Sequence, residues 1–145
     1  MSKIVLDAMY SHPPQRVWRA LTDPQELAAW LMPNDFEPRV GHKFQFRAKP
    51  QFGWRGFVDC EVLEVDPPRR LSYSWSGDEK GPAMTVTWTL EPAGGGTRLV
   101  LEHTGFRGLG GWFVKRIMGR GWGKKLRTLL PEVLDGKRVG PTECH

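Results

Sequence analysis

Thr85 to Phe106 reads TVTWTLEPAGGGTRLVLEHTGF. Its first half alternates, with Met84, Val86, Trp88 and Leu90 on one face and Thr85, Thr87 and Thr89 on the other. Side chains in a strand point to opposite faces at period two, so this is a strand with one apolar face. PAGGGT then breaks the pattern with turn residues. The second half alternates again, placing Leu99, Leu101 and His103 on one face. Two alternating runs joined by a short glycine-rich turn make an antiparallel hairpin.

The same pattern extends upstream. LSYSWS sets Leu71, Tyr73 and Trp75 against Ser72, Ser74 and Ser76. FVDCEVLEVD is a long strand whose alternation slips, which predicts a bulge. From Gly41, His42, Phe44, Phe46 and Ala48 oppose Lys43, Gln45, Arg47 and Lys49. PPRR, GDEKGP and QFGWRG read as the turns and loops between these runs. The result is an antiparallel meander with an aromatic face and a polar, wet face.

Helices flank the meander. Ile4 to Tyr10 reads as an opening strand, and SHPPQRVWRALTD as a helix with Ser11 as a candidate cap and prolines in its first turn. TDPQELAAWL restarts at once, with Asp23 as N-cap, Pro24 behind it and Glu26 in the capping-box position. After a glycine-rich linker, Gly105 to Gly111, Trp112 to Leu134 reads as a long helix. Trp122, Leu126, Leu129, Leu130, Val133 and Leu134 fall on one side of it. Gly119, Gly121 and Gly123 each cost about 1 kcal/mol relative to Ala and predict a kink or break there. Pro131 removes a backbone donor near the end. Residues 1–136 are expected to form one domain, with 137–145 a disordered tail.

The totals agree with a globular chain. It has 145 residues, 39% hydrophobic and 26% charged, with a net charge of +5 and seven Trp. The cysteines, Cys60 and Cys144, form no evident disulfide framework, and no apolar run reaches the roughly 20 residues of a membrane span. The first residues lack a signal peptide's apolar stretch, so a cytoplasmic location is expected. The four histidines are scattered, so no metal site or cofactor is expected. GGGT lacks the Lys and following helix of a phosphate loop, and no GxSxG occurs.

The ordered pattern resembles the START-like superfamily, the SRPBCC or helix-grip group. Within it the chain is similar to bacterial relatives of the C-terminal domain of the activator of Hsp90 ATPase. The residues that carry the resemblance are VWRALTDPQELAAWL (Val17 to Leu31), EVLEVDPPRRLSYSW (Glu61 to Trp75), TVTWTLEPAGGGTRLVLEHTGF and the late Gly121–Trp122 pair. Departures are Leu31 where many relatives have a second tryptophan, Cys60 where many have glycine, and the glycine-rich last helix. The resemblance implies an α+β fold: a curved antiparallel sheet of about six strands wrapped on a long C-terminal helix, with two short helices after the first strand. It also implies a deep cavity between sheet and helix. Superfamily members include lipid carriers, hormone receptors and polyketide cyclases, so function does not follow from fold.

Each constellation has two readings. Phe44, Phe46, Tyr73, Trp75, Val86, Trp88, Leu101 and His103, facing Trp112, Phe113, Trp122 and Leu126, form a solid core on periodicity alone. With the implied cavity, they line a site for an apolar, flat or elongated ligand. Trp30, Leu31, Met32 and Phe36 either seal the end of the core or form the pocket mouth. His103 is a satisfied core residue, or with Tyr73 it orients a ligand, or it acts as a base. The basic run Arg107, Lys115, Arg116, Arg120, Lys124, Lys125 and Arg127 is a solvated helix face, or a contact for an anionic partner, a membrane surface or nucleic acid.

The leading expectation is binding of a hydrophobic small molecule, a lipid or polyketide-like aromatic, without catalysis or with weak catalysis. The alternatives are contact with an acidic chaperone of the Hsp90 type or another acidic protein, and a cyclase or dehydratase using His103. No specific nucleic-acid partner and no membrane span are expected.

Overall fold

The computed structural model describes residues 2–47, 56–76, 84–106 and 108–136. QFGWRG up to Arg55, GDEKGP and the expected tail lie outside the described residues, as do the side chains of Trp112 and Phe113. The elements run β1 (Ser2–Tyr10), α1 (Pro14–Thr22), α2 (Pro24–Trp30), β2 (Lys43–Arg47), β3 (Phe57–Asp66), β4 (Arg70–Trp75), β5 (Met84–Ala93), β6 (Gly96–Phe106) and α3 (Gly108–Lys124). A π-helical turn (Lys125–Leu129) and α4 (Leu130–Leu134) complete the C-terminal helix. The strands form one antiparallel sheet in the order β1-β6-β5-β4-β3-β2. This is the α+β helix-grip arrangement that the sequence pattern implies.

The hairpin of β5 and β6 has the two-residue turn that its glycines require. Ala93 pairs with Gly96, and Gly94 and Gly95 take φ of +54° and +82°, the signs of a type I′ turn. Gly96 has a second reason to be glycine: a Cβ there would lie 2.1 Å from the Tyr10 carbonyl oxygen, at the end of β1. The hairpin register sets Val86 opposite His103 and Trp88 opposite Leu101. The slipped alternation of β3 is a register shift between Val62 and Glu64, and Leu63 is exposed there. On the outer face Ser72 and Thr87 hydrogen-bond across β4 and β5 at 3.2 Å.

Three local expectations are corrected. Ser11 does not cap α1; Pro13 occupies the N-cap with no side-chain bond, and its carbonyl accepts from the Arg16 and Val17 N–H groups. Asp23 caps α2, accepting from the N–H groups of Gln25 and Glu26, but Glu26 does not close the box. The Asp23 N–H already donates to the Arg19 carbonyl, so the Glu26 carboxylate turns to Arg16 at 2.6 Å and Arg19 at 2.7 Å.

The third correction concerns the C-terminal helix. It begins at Gly108 and runs unbroken through Gly119, Gly121 and Gly123. Its irregularity lies further on, at Lys125–Leu129. The Leu130 N–H donates to Lys125 O, five residues back, and Pro131 has no N–H to give. The Leu126 carbonyl therefore loses both helical donors that could reach it. The Tyr10 hydroxyl donates to it at 2.6 Å, from β1.

Candidate functional site

Period-two alternation in β2, β4, β5 and β6 turns one face of the sheet toward the helix. Phe44, Phe46, Tyr73, Trp75, Val86, Trp88, Leu101 and His103 all point there and are buried, with Trp122 and Leu126 buried opposite them. Their rings form one connected cluster. Trp122 lies 5.5 Å from both Trp75 and Trp88, centroid to centroid, and Trp88 lies 5.8 Å from Trp30. Phe44 meets Phe36, Phe46 and Tyr73 edge-on at 5.0–5.4 Å. Edge-to-face pairing at these distances adds to the stabilisation from burial alone.

The cluster contains polar ring atoms, and three of its indole N–H groups have hydrogen-bond partners. Trp122 Nε1–H donates to His103 Nδ1 at 3.1 Å. Accepting at Nδ1 leaves the proton of the neutral imidazole on Nε2. Burial lowers the His103 pKa to about 4, so the ring is neutral near pH 7. A group that ionises near pH 4 is a weak proton acceptor at neutral pH. Trp88 Nε1–H donates to the Tyr73 hydroxyl at 2.9 Å, and burial pushes the phenol pKa up, so Tyr73 stays protonated. Trp30 Nε1–H donates to Ala20 O at 2.8 Å. The Cys60 thiol is buried in β3, and burial followed by the charges of Asp59 and Asp35 pushes its pKa up, which withholds a thiolate.

The segment after α2 folds back over the end of this cluster. Trp30, Leu31 and Phe36 are buried and Met32 is half-buried. The segment also covers the outer edge of β2: Arg47 N–H donates to Pro33 O at 2.9 Å and Gln45 N–H to Asp35 Oδ1 at 2.8 Å. Among the described residues no three His, Cys, Asp or Glu side chains come together as metal ligands, and no helix is long and apolar enough to cross a membrane.

A second feature was only partly legible in the sequence. Five cations of the basic run, Lys115, Arg116, Arg120, Lys124 and Arg127, line a groove of about 710 Å³ between α3 and β1, and Lys3 joins them from the strand. Lys125 does not line it; its Nζ donates to Leu31 O at 3.4 Å. Arg107 lies outside the described residues. Gly119 faces β1, where an added Cβ would lie 4.0 Å from Ile4 Cδ1. Helix propensity alone marks Gly119 and Gly123 only as weak points of the helix.

The fold and the arrangement of the interior invite comparison with known proteins. The family described as "Activator of Hsp90 ATPase homolog 1-like protein" matches residues 11–135. The chain belongs to this family. No curated protein matches it. Among solved structures, protein MLL2253 from Mesorhizobium loti is similar at 38% identity and a TM-score of 0.82, over 93% of this chain and 98% of that one. Protein BH1534 from Bacillus halodurans is similar at 26% identity and a TM-score of 0.75, over 92% and 97%. DynU16, from the dynemicin biosynthetic locus, is similar at 26% identity and a TM-score of 0.78; 99% of this chain spans 50% of that one. The family's fold suggests a ligand-binding domain.

Proposed function

We propose that the protein binds a hydrophobic small molecule, a lipid or a polyketide-like aromatic, between the sheet and the C-terminal helix. The observation that carries this reading is the interior's chemistry: a connected set of large rings that holds His103, Tyr73 and two indole N–H groups as matched polar pairs. Apolar rings with a few placed polar groups are what a small-molecule site uses. The ligand would part the rings, take apolar contact from Phe46, Trp75, Trp88 and Trp122, and exchange one indole hydrogen bond for its own polar end. Trp112 and Phe113 would join the lining. The segment from Trp30 to Phe36 would move to admit it. Binding would be driven by apolar burial at about 25 cal/mol per Å², less the cost of ordering. The two cysteines, with no evident disulfide framework, support a cytoplasmic setting.

The test is native mass spectrometry of the protein purified gently from its own cells, followed by titration of a lipid and aromatic panel against its tryptophan fluorescence. A defined small-molecule adduct is expected. Trp88→Phe, which keeps an apolar ring but removes the donor to Tyr73, should weaken binding about tenfold, the effect of losing roughly 1.4 kcal/mol. Thr87→Ala, on the opposite face of β5, should leave it unchanged. Equal effects of the two substitutions, or a bare protein that ignores the whole panel, would overturn the reading.

A further inference from the structure

The groove between β1 and α3 has chemistry that a hydrophobic ligand does not use. Four consecutive β1 residues, Lys3 to Leu6, line it, so one wall is the edge of the strand and not a single face. The other wall is residues 115, 116, 119, 120, 123 and 124 of α3, at helical spacing, with Arg127 of the π-helical turn beyond them. Gly119 keeps that wall low; a Cβ built there would lie 4.0 Å from Ile4 Cδ1.

The two edges of the sheet are treated differently. The β2 edge is covered by the segment from Pro33 to Asp35. Among the described residues, β1 pairs with β6 alone, and its other edge faces the groove. Such an edge presents a row of backbone donors and acceptors at the repeat of an added strand. The outer face of β1 also exposes Val5 and Met9, at 52% and 60%, apolar surface that a neighbouring strand would shield.

Charge selects the occupant. Among the described residues, six of the groove's lining side chains are Lys or Arg and none is Asp or Glu. On the strand's outer face, Lys3 Nζ lies 3.8 Å from Glu102. A second copy of the chain would bring the same cations and be repelled. We propose that an extended acidic segment of a partner protein docks here, adding a strand to β1 and setting alternate carboxylates against Arg120, Lys124 and Arg127. The interior and its ligand play no part in this contact.

The experiment is a fluorescence-anisotropy titration of the full chain with a short peptide of alternating Glu and Val. Two further peptides carry N-methyl groups on alternate residues, one on the Glu positions and one on the Val positions. The unmethylated peptide should bind, less tightly as salt is added. One methylated peptide should lose binding and the other retain it, because an added strand uses only one set of its N–H groups against the edge. Arg120→Glu with Lys124→Glu, both exposed positions, should weaken binding at least about tenfold, the effect of losing roughly 1.4 kcal/mol, with an unchanged circular dichroism spectrum. Amide signals of residues 3–9 should shift on binding. Equal binding by both methylated peptides would overturn the strand addition, leaving charge attraction alone. So would a charge-reversed variant that binds as before, or a chain that ignores the peptide but binds anionic vesicles or RNA.

Discussion

His103 shows what burial does to a single residue. Its inward direction was legible, because Leu99, Leu101 and His103 share a face of β6 at period two. Its partner was not, because whether Trp122 meets it depends on how the helix is rotated and seated on the sheet. The consequence is a pH dependence. In the unfolded chain the imidazole titrates near its ordinary value, about 6.5, and in the folded protein near 4. Between those values the unfolded state takes up a proton that the folded state refuses. Stability is therefore full above about pH 6.5 and falls as pH drops toward 4. Against a His103→Gln variant, which does not titrate, the wild-type protein should lose up to about 3 kcal/mol of relative stability across that window. Urea denaturation of both proteins from pH 7 to pH 4 measures this. A difference that stays constant with pH would mean that His103 protonates in the folded state as freely as in water.

At the scale of elements, the strands were more legible than the C-terminal helix. Alternation, glycine turns and the slipped register of β3 are local properties, written within a few residues of where they act. The helix irregularity is not. The intrinsic cost of Gly119, Gly121 and Gly123 pointed to a break among them, yet the helix runs through, with Trp122 in their midst buried against Trp75 and Trp88. Packing of one large side chain outweighs about 1 kcal/mol per glycine. The missing donor of Pro131 acts one turn upstream, where the π-helical turn leaves Leu126 O to the hydroxyl of Tyr10. Tyr10→Phe should therefore cost about 1–3 kcal/mol, the penalty for a buried carbonyl without a donor. Hydrogen exchange at the amides of Leu129 and Leu130 should quicken more than exchange in β4. A uniform change, or none, would show that the Tyr10 bond does not hold the turn.

At the scale of the whole molecule, the first helices fasten the last one. Arg16 donates to Glu26 at 2.6 Å within the N-terminal part and to Val133 O at 2.9 Å at the far end of the chain. His12 lies 2.9 Å from Asp135, and Tyr10 reaches Leu126. The three pairings that reach the C-terminal helix were not visible in the sequence, since each joins residues more than a hundred positions apart. Even the capping box misled, because its Glu26 was committed to two arginines. The partly buried Arg16–Glu26 pair ties α1 to α2 and, through Val133, to α4. Glu26→Gln keeps the shape and removes the charge that both arginines use, so it should destabilise the protein by about 1–3 kcal/mol. For a chain of this size that is a fall in Tm of roughly 2–10 °C, measurable by calorimetry. Arg16→Met should cost a similar amount. If the three helices are held as one unit, the double variant should be little worse than either single one, because each substitution already undoes the same contact. Full additivity of the two losses would show instead that Glu26 acts through Arg19 alone, and that Arg16 holds α4 without it.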